Sequence, residues 1–166
     1  MNITERIYET LDTWGDHPAV IDLSPGDAPL FVSAGELKSR IYAMSEFLKG
    51  FGIIRGFIVA LFLENSADFV SLFFALIEIG AKPVPVNLAF RSIELDELIF
   101  NANPHAIITE EKNLPIVEPY CAGRIVIQRK SGIFKRIRGG DSSQQLEPAD
   151  IDDSIASINY TYRGFG

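Results

Sequence analysis

The chain has little of what most catalytic and metal-binding constellations require: one cysteine and two histidines in 166 residues. A single thiol, Cys121, excludes an intrachain disulfide and any cysteine-based zinc site. His17 and His105 lie far apart, each beside a proline, without the spacing of a metal-ligand pair. No Gly-x-Ser-x-Gly elbow is present, and the carboxylates show no pairing that assigns acid–base roles. Long apolar runs are missing too. The most apolar stretch, residues 69–77, stops at Glu78 and is too short to span a bilayer, so no transmembrane segment is expected. The first residues lack the basic-then-apolar layout of a secretory signal, and a cytoplasmic location is expected. With a net charge of −7 the chain has no basic excess, so no nucleic-acid partner is expected.

What is present suits one globular domain: 47% apolar and 22% charged residues. Ile3, Ile7, Leu11 and Trp14 recur at helical spacing. Residues 18–23 and 30–32 read as short strands around a Ser-Pro-Gly-Asp turn. Ser33 and Glu36 have the form of a capping box, followed by a helix with Leu37, Ile41, Met44, Leu48 and Phe51 on one face. Residues 58–63 form a continuous apolar run, as in a strand covered on both faces. Asn65 or Ser66 can cap the next helix, and Gly80 can end it. Strand, helix and strand follow at 83–86, 92–101 and 106–109, then strands at 124–128 and 155–160. The reading is an α/β fold of alternating βα units with a mostly parallel sheet.

Residues 129–140 break the average, with Arg129, Lys130, Lys135, Arg136 and Arg138 and no acid. Together with the polar, acidic residues 141–153 they read as a surface excursion before the last strand. Such a segment is either a solvated loop with apolar anchors or a contact for anions or membrane. The other ligand-like stretch is 159–166, where a strand runs into Tyr160-Thr161-Tyr162-Arg163-Gly164-Phe165-Gly166. Glycines let backbone N–H groups face a phosphate, and Thr161 and Arg163 add a donor and a charge.

The order of short motifs resembles the N-terminal region of the AMP-forming acyl-CoA synthetase and adenylate-forming ligase (AMP-binding) superfamily. The motifs are His17-Pro18-Ala19-Val20-Ile21-Asp22, Ser33-Ala34-Gly35-Glu36-Leu37 and Glu64-Asn65-Ser66-Ala67-Asp68-Phe69. The strongest stretch runs from Ala75 through Gly80-Ala81-Lys82-Pro83-Val84-Pro85-Val86-Asn87, followed by Arg91-Ser92-Ile93-Glu94-Leu95. The Pro85-Val86-Asn87 version is closer to acyl-CoA ligases than to peptide-synthetase adenylation domains, which tend to have Asp in the last place.

The resemblance implies that residues 1–166 are a partial N-terminal subdomain of the ligase's large domain, ending inside the phosphate loop. The family loop is usually Tyr-Thr-Ser-Gly-Thr-Thr-Gly. Tyr160, Thr161 and Gly166 match it, while Tyr162, Arg163, Gly164 and Phe165 replace its middle. Tyr160, Thr161, Arg163, Gly164 and Gly166 are thus implied as nucleotide phosphate contacts in a degenerate loop. Phe57, where the family commonly has Asp, is a second departure.

The implied reaction joins a carboxylic acid, fatty or other acyl, to ATP with magnesium. The acyl-AMP then passes to a thiol of CoA or an acyl carrier protein. No catalytic residue and no metal ligand can be carried over, because the family's catalytic Lys and ribose-binding Asp would lie past Gly166. The isolated chain is expected to be inactive and to self-associate. The alternative is a non-catalytic binding module, or half of a split enzyme, that binds a partner chain or an acyl carrier.

Overall fold

The computed structural model describes residues 3–23, 28–139 and 155–160. An amphipathic helix α1 (Ile3–Trp14) leads into an antiparallel hairpin of β1 (Pro18–Asp22) and β2 (Leu30–Ser33). Helix α2 (Ala34–Gly50) starts at Ser33, whose hydroxyl accepts from the Glu36 N–H at 3.2 Å. The Glu36 carboxylate accepts from Arg40 one turn on. Leu37, Ile41, Ser45 and Leu48 are the buried stripe of α2, at the spacing of one helix face.

The main sheet contains β3 (Ile58–Phe62), β4 (Lys82–Pro85), β5 (Ala106–Glu110), β6 (Ile125–Lys130) and β7 (Ile133–Arg138), in the order β4-β3-β5-β6-β7. The first four pair in parallel, and β7 closes the far edge antiparallel to β6. Helix α3 (Ala67–Ile79) connects β3 to β4, and α4 (Ser92–Ala102) carries the chain back across β3 to β5. The winding therefore reverses between β3 and β5, as in doubly wound α/β sheets. A short helix, α5 (Leu114–Val117), lies between β5 and β6.

Alternation along the strands divides the core in two. Val59 and Leu61 join Leu11, Leu37, Leu48 and Leu76, so α1, α2 and α3 cover one face. Ile58, Ala60 and Phe62 join Val84, Leu95, Leu98 and Val117, so α4 and α5 cover the other. All five β3 residues are buried, which is why that strand reads as an unbroken apolar run. Phe57, the second departure from the family pattern, is 3% exposed. Its ring stacks on His105 with centroids 4.6 Å apart, and His105 Nδ1 accepts from the Ile58 N–H at 3.0 Å. That histidine holds the edge of the core together.

Two expectations need correction. Residues 129–138 are not a surface excursion: they belong to the β6–β7 hairpin, with a turn at Ser131 and Gly132, both at positive φ. Arg129, Lys130, Arg136 and Arg138 find partners on other elements, with Arg129 and Arg136 half-buried and Lys130 and Arg138 exposed. Arg129 bonds Asp68 and Glu110, Lys130 bonds Glu111, and Arg138 pairs with Glu118. Arg136 donates to the Phe51 carbonyl at 2.8 Å, a carbonyl just past the end of α2 where cations are favoured. Residues 141–153 lie outside the described residues. The second correction concerns residues 155–160, which carry no regular strand ladder. They run alongside β4, attached by one backbone bond from Ile158 N–H to Pro83 O at 3.1 Å.

Candidate functional site

In open α/β sheets, ligands gather at the carboxyl ends of the strands. Here that rim is formed by Glu64 and Asn65 after β3, Asn87 after β4, and Lys112 after β5. A cavity of about 540 Å³ opens between the first two loops and is lined by Glu64, Asn65, Pro85, Asn87, Asn159 and Tyr160 among others. Its size is that of a small-molecule site.

Tyr160 is the one candidate phosphate-contact residue that falls in the described part. Thr161, Arg163, Gly164 and Gly166 lie outside the described residues. The Tyr160 ring packs against the α4-side core, and burial pushes its phenol above the ordinary tyrosine range. The phenol therefore stays protonated at neutral pH and remains a donor. Tyr160 thus stands beside the cavity at the carboxyl rim.

The polar groups around the cavity are mostly committed. Asn87 Oδ1 accepts from the Ala89 N–H at 2.9 Å, which turns the loop after β4. Asn159 Nδ2 donates to Ser157 Oγ at 2.9 Å. Among the described residues, Lys112 hydrogen-bonds the cavity-lining Glu64, which raises its pKa. The amino end of α3 is also satisfied from within. Ser66 Oγ accepts from the Phe69 N–H at 3.2 Å, and Asp22 Oδ2 accepts from the Ala67 N–H at 2.7 Å. Asp22 is 8% exposed, so a buried carboxylate already occupies the position where a helix N-terminus would hold an anion.

Sequence reasoning missed this role of Asp22, although the residue sits in the quoted His17-to-Asp22 motif. A buried acid at the end of a strand was the available signal. The helix it caps lies 45 positions downstream, beyond local pattern reading. Among the described residues no group of three or more His, Cys, Asp or Glu side chains stands ready for a metal ion. No helix among them is long and apolar enough to cross a membrane.

A sequence model of the AMP-binding enzyme family matches residues 7–161. The crotonobetaine/carnitine–CoA ligase of Proteus mirabilis is 33% identical over 87 residues, 52% of this chain and 17% of that protein. Acetyl-coenzyme A synthetase 1 of Candida albicans is 27% identical over 113 residues, 64% of this chain and 16% of that protein. The chain thus spans about a sixth of the length of these two relatives. Among solved structures, a benzoate CoA ligase from Burkholderia xenovorans matches with a TM-score of 0.67 at 17% identity, covering 78% of this chain and 26% of that one. The N-terminal subdomain of Klebsiella oxytoca NpsA matches with a TM-score of 0.64 at 23% identity, covering 76% and 30%. These structural likenesses establish the fold, and the sequence match over residues 7–161 places the chain in the family of AMP-binding enzymes.

Proposed function

We propose that this chain forms the N-terminal portion of an AMP-forming ligase that activates a carboxylic acid, fatty or other acyl, with ATP. The observation that carries this reading is the position of Tyr160. Tyr160, which the sequence resemblance puts at the start of the phosphate loop, stands at the carboxyl rim beside a cavity of about 540 Å³, and the family match extends over it. In the reaction a carboxylate oxygen attacks the α-phosphorus and pyrophosphate leaves. A thiol of CoA or of a carrier protein then displaces AMP from the acyl carbon.

This chain's share of that work is phosphate positioning by Tyr160, Thr161, Arg163, Gly164 and Gly166. Positioning and charge stabilisation supply most of the catalysis in such transfers. The described rim offers little charge to a triphosphate, because Lys112 is paired and the α3 amino end is capped by Asp22. Arg163 and magnesium would have to supply it. The described residues form no cluster of His, Cys, Asp or Glu for that ion.

The same occupied groups favour a second reading, a non-catalytic module that binds a partner chain or an acyl carrier. Outward-facing Ile21 and Phe31, a cross-strand pair on the β1–β2 hairpin, and Phe100 on α4 support self-association or partner contact by the isolated chain. ATP–pyrophosphate exchange separates the two readings. The 166-residue chain alone should show none with a panel of fatty, aryl and amino acids. Supplying the remaining domains should restore exchange, and Thr161→Val should lower it. An assembled protein with no exchange across the panel would leave the binding module standing.

A further inference from the structure

The β4 edge that faces residues 155–160 can accept hydrogen bonds but cannot donate them. In a strand, the N–H and C=O of one residue point to the same side, and successive residues alternate. Lys82 N–H bonds Phe57 O at 2.7 Å and Val86 N–H bonds Leu61 O at 3.0 Å, so residues 82, 84 and 86 face β3. Residues 81, 83 and 85 face the other way. The Ala81 N–H is spent on Leu76 O at 2.9 Å, at the end of α3. Positions 83 and 85 are both proline and have no N–H. Every donor that β4 would offer to a neighbour on that side is missing or used.

The neighbour is there nonetheless. Ile155 and Ala156 lie by Gly80 and Lys82, and Asn159 and Tyr160 lie by Pro85 and Asn87, so the segment runs parallel to β4. Its only backbone bond to β4 is from Ile158 N–H to Pro83 O at 3.1 Å. Ile158 and Tyr160 pack on the α4-side core, so side chains supply the rest of the hold. Space is open at both ends of the segment: a cavity of about 430 Å³ at Ile155 and Ala156, and one of about 540 Å³ at Asn159 and Tyr160.

We propose that Pro83 and Pro85 are positioning residues that keep the segment 155–160, which leads toward the phosphate loop, detachable, held by one backbone bond and two side chains so that Tyr160 can move between the cavity and the sheet. The phosphate-binding role of the loop rests on the function proposed above; the detachable segment does not. Prolines on a sheet edge also guard against pairing with other chains. Here the guarded edge is covered by the protein's own segment, so the missing donors act on that segment first.

Amide hydrogen exchange on the 166-residue chain tests this directly. The Ile158 amide should exchange at least ~100-fold faster than those of Lys82 and Val86, as expected for a locally opening segment on a stable sheet. Pro83→Ala with Pro85→Ala restores two donors opposite the Ala156 and Ile158 carbonyls. In that variant, exchange at Ile158 should slow by at least ~10-fold, and the new amides at 83 and 85 should be protected. If the double variant fails to fold, each single variant restores one donor and is read in the same way. Equal exchange at Ile158 and Val86 in the unmodified chain, or no slowing in the variants, overturns the proposal. Titration with magnesium and ATP keeps the two ideas apart. Absence of binding by either protein counts against the phosphate-loop assignment alone, and the exchange result decides whether the segment is detachable.

Discussion

Arg129 at the end of β6 donates two hydrogen bonds to one carboxylate oxygen of Asp68 in the first turn of α3, at 2.6 and 2.9 Å, across 61 positions of sequence. The same guanidinium reaches Glu110 at 3.3 Å, and Arg40 of α2 approaches Asp68 at 3.8 Å. Two helices and two strands are thus pinned by one charge network. Arg129 and Asp68 are each about a quarter exposed in their side chains, so solvent screens the pair only partly.

Replacing Arg129 with Met should therefore cost roughly 1–3 kcal/mol, the range for leaving a buried polar group short of a partner, because Glu110 is left buried beside less compensation. Arg129→Lys keeps the charge but loses the fork and should cost less. Urea unfolding of the three proteins checks the order. A loss for Lys as large as for Met would show that charge without the fork contributes nothing, and no loss for Lys would show the same of the fork.

Gly139 ends β7 at φ +84, a conformation that favours glycine. A Cβ there would lie 2.7 Å from Ile125 Cα and 2.8 Å from the Arg124 carbonyl, both backbone atoms that cannot swing aside. Gly139→Ala should destabilise the chain by about 2 kcal/mol or more, while Gly132→Ala in the hairpin turn, with open space around it, should cost less. Thermal unfolding of the two variants gives the comparison; equal losses would place the penalty in φ alone.

The alternation of strands and helices was legible because its signals are local. A five-residue buried β3 reads as unbroken apolar sequence, and Ser66 and Gly80 bracket α3 at the capping positions. The hairpin at 129–138 was not legible, because its basic side chains look solvated until their partners are known. Those partners sit 61 positions away for Arg129 and 85 for Arg136. The last strand failed for the opposite reason. Ile158 and Tyr160 have the right apolar pattern, but whether a strand forms depends on the neighbour, and Pro83 and Pro85 supply no donors. Of the residues around the cavity, the sequence motif singled out Tyr160 in advance, while the capping of α3 by Asp22 became visible only when strand and helix met.

Cys121 is 2% exposed, and its Sγ–H lies 3.3 Å from the Val117 carbonyl. Burial pushes its thiol up from the ordinary range, so little thiolate forms at neutral pH. As the chain's one cysteine, it serves as a reporter of opening. A thiol reagent such as a maleimide should leave the native chain unmodified over minutes and label it fully in denaturant. Rapid labelling at pH 7 without denaturant would show that the α5 region opens far more often than its packing implies.

Among the described residues, two tyrosines bonded to carboxylates contribute to the alkaline side of stability. Tyr120 OH donates to Asp96 at 2.7 Å, and Tyr8 OH donates to Glu78 at 2.6 Å. Burial first, and then the hydrogen bond to the carboxylate, push Tyr120 up to about 12 and Tyr8 well above its ordinary value of 10.0. Between pH 10 and 12 the unfolded chain loses these protons while the native chain keeps them. The unfolded state then binds fewer protons, so native stability falls as pH rises. Below pH 10 the contribution is fully present; it is lost as the pH climbs through the folded values. Phe at either position removes the titrating group and should flatten the decline above pH 10, more so for Tyr8→Phe because its shift is larger. Denaturant midpoints measured from pH 8 to pH 11.5 decide the matter. A slope as steep in the Tyr8→Phe, Tyr120→Phe double variant as in the parent would assign the alkaline loss to other groups.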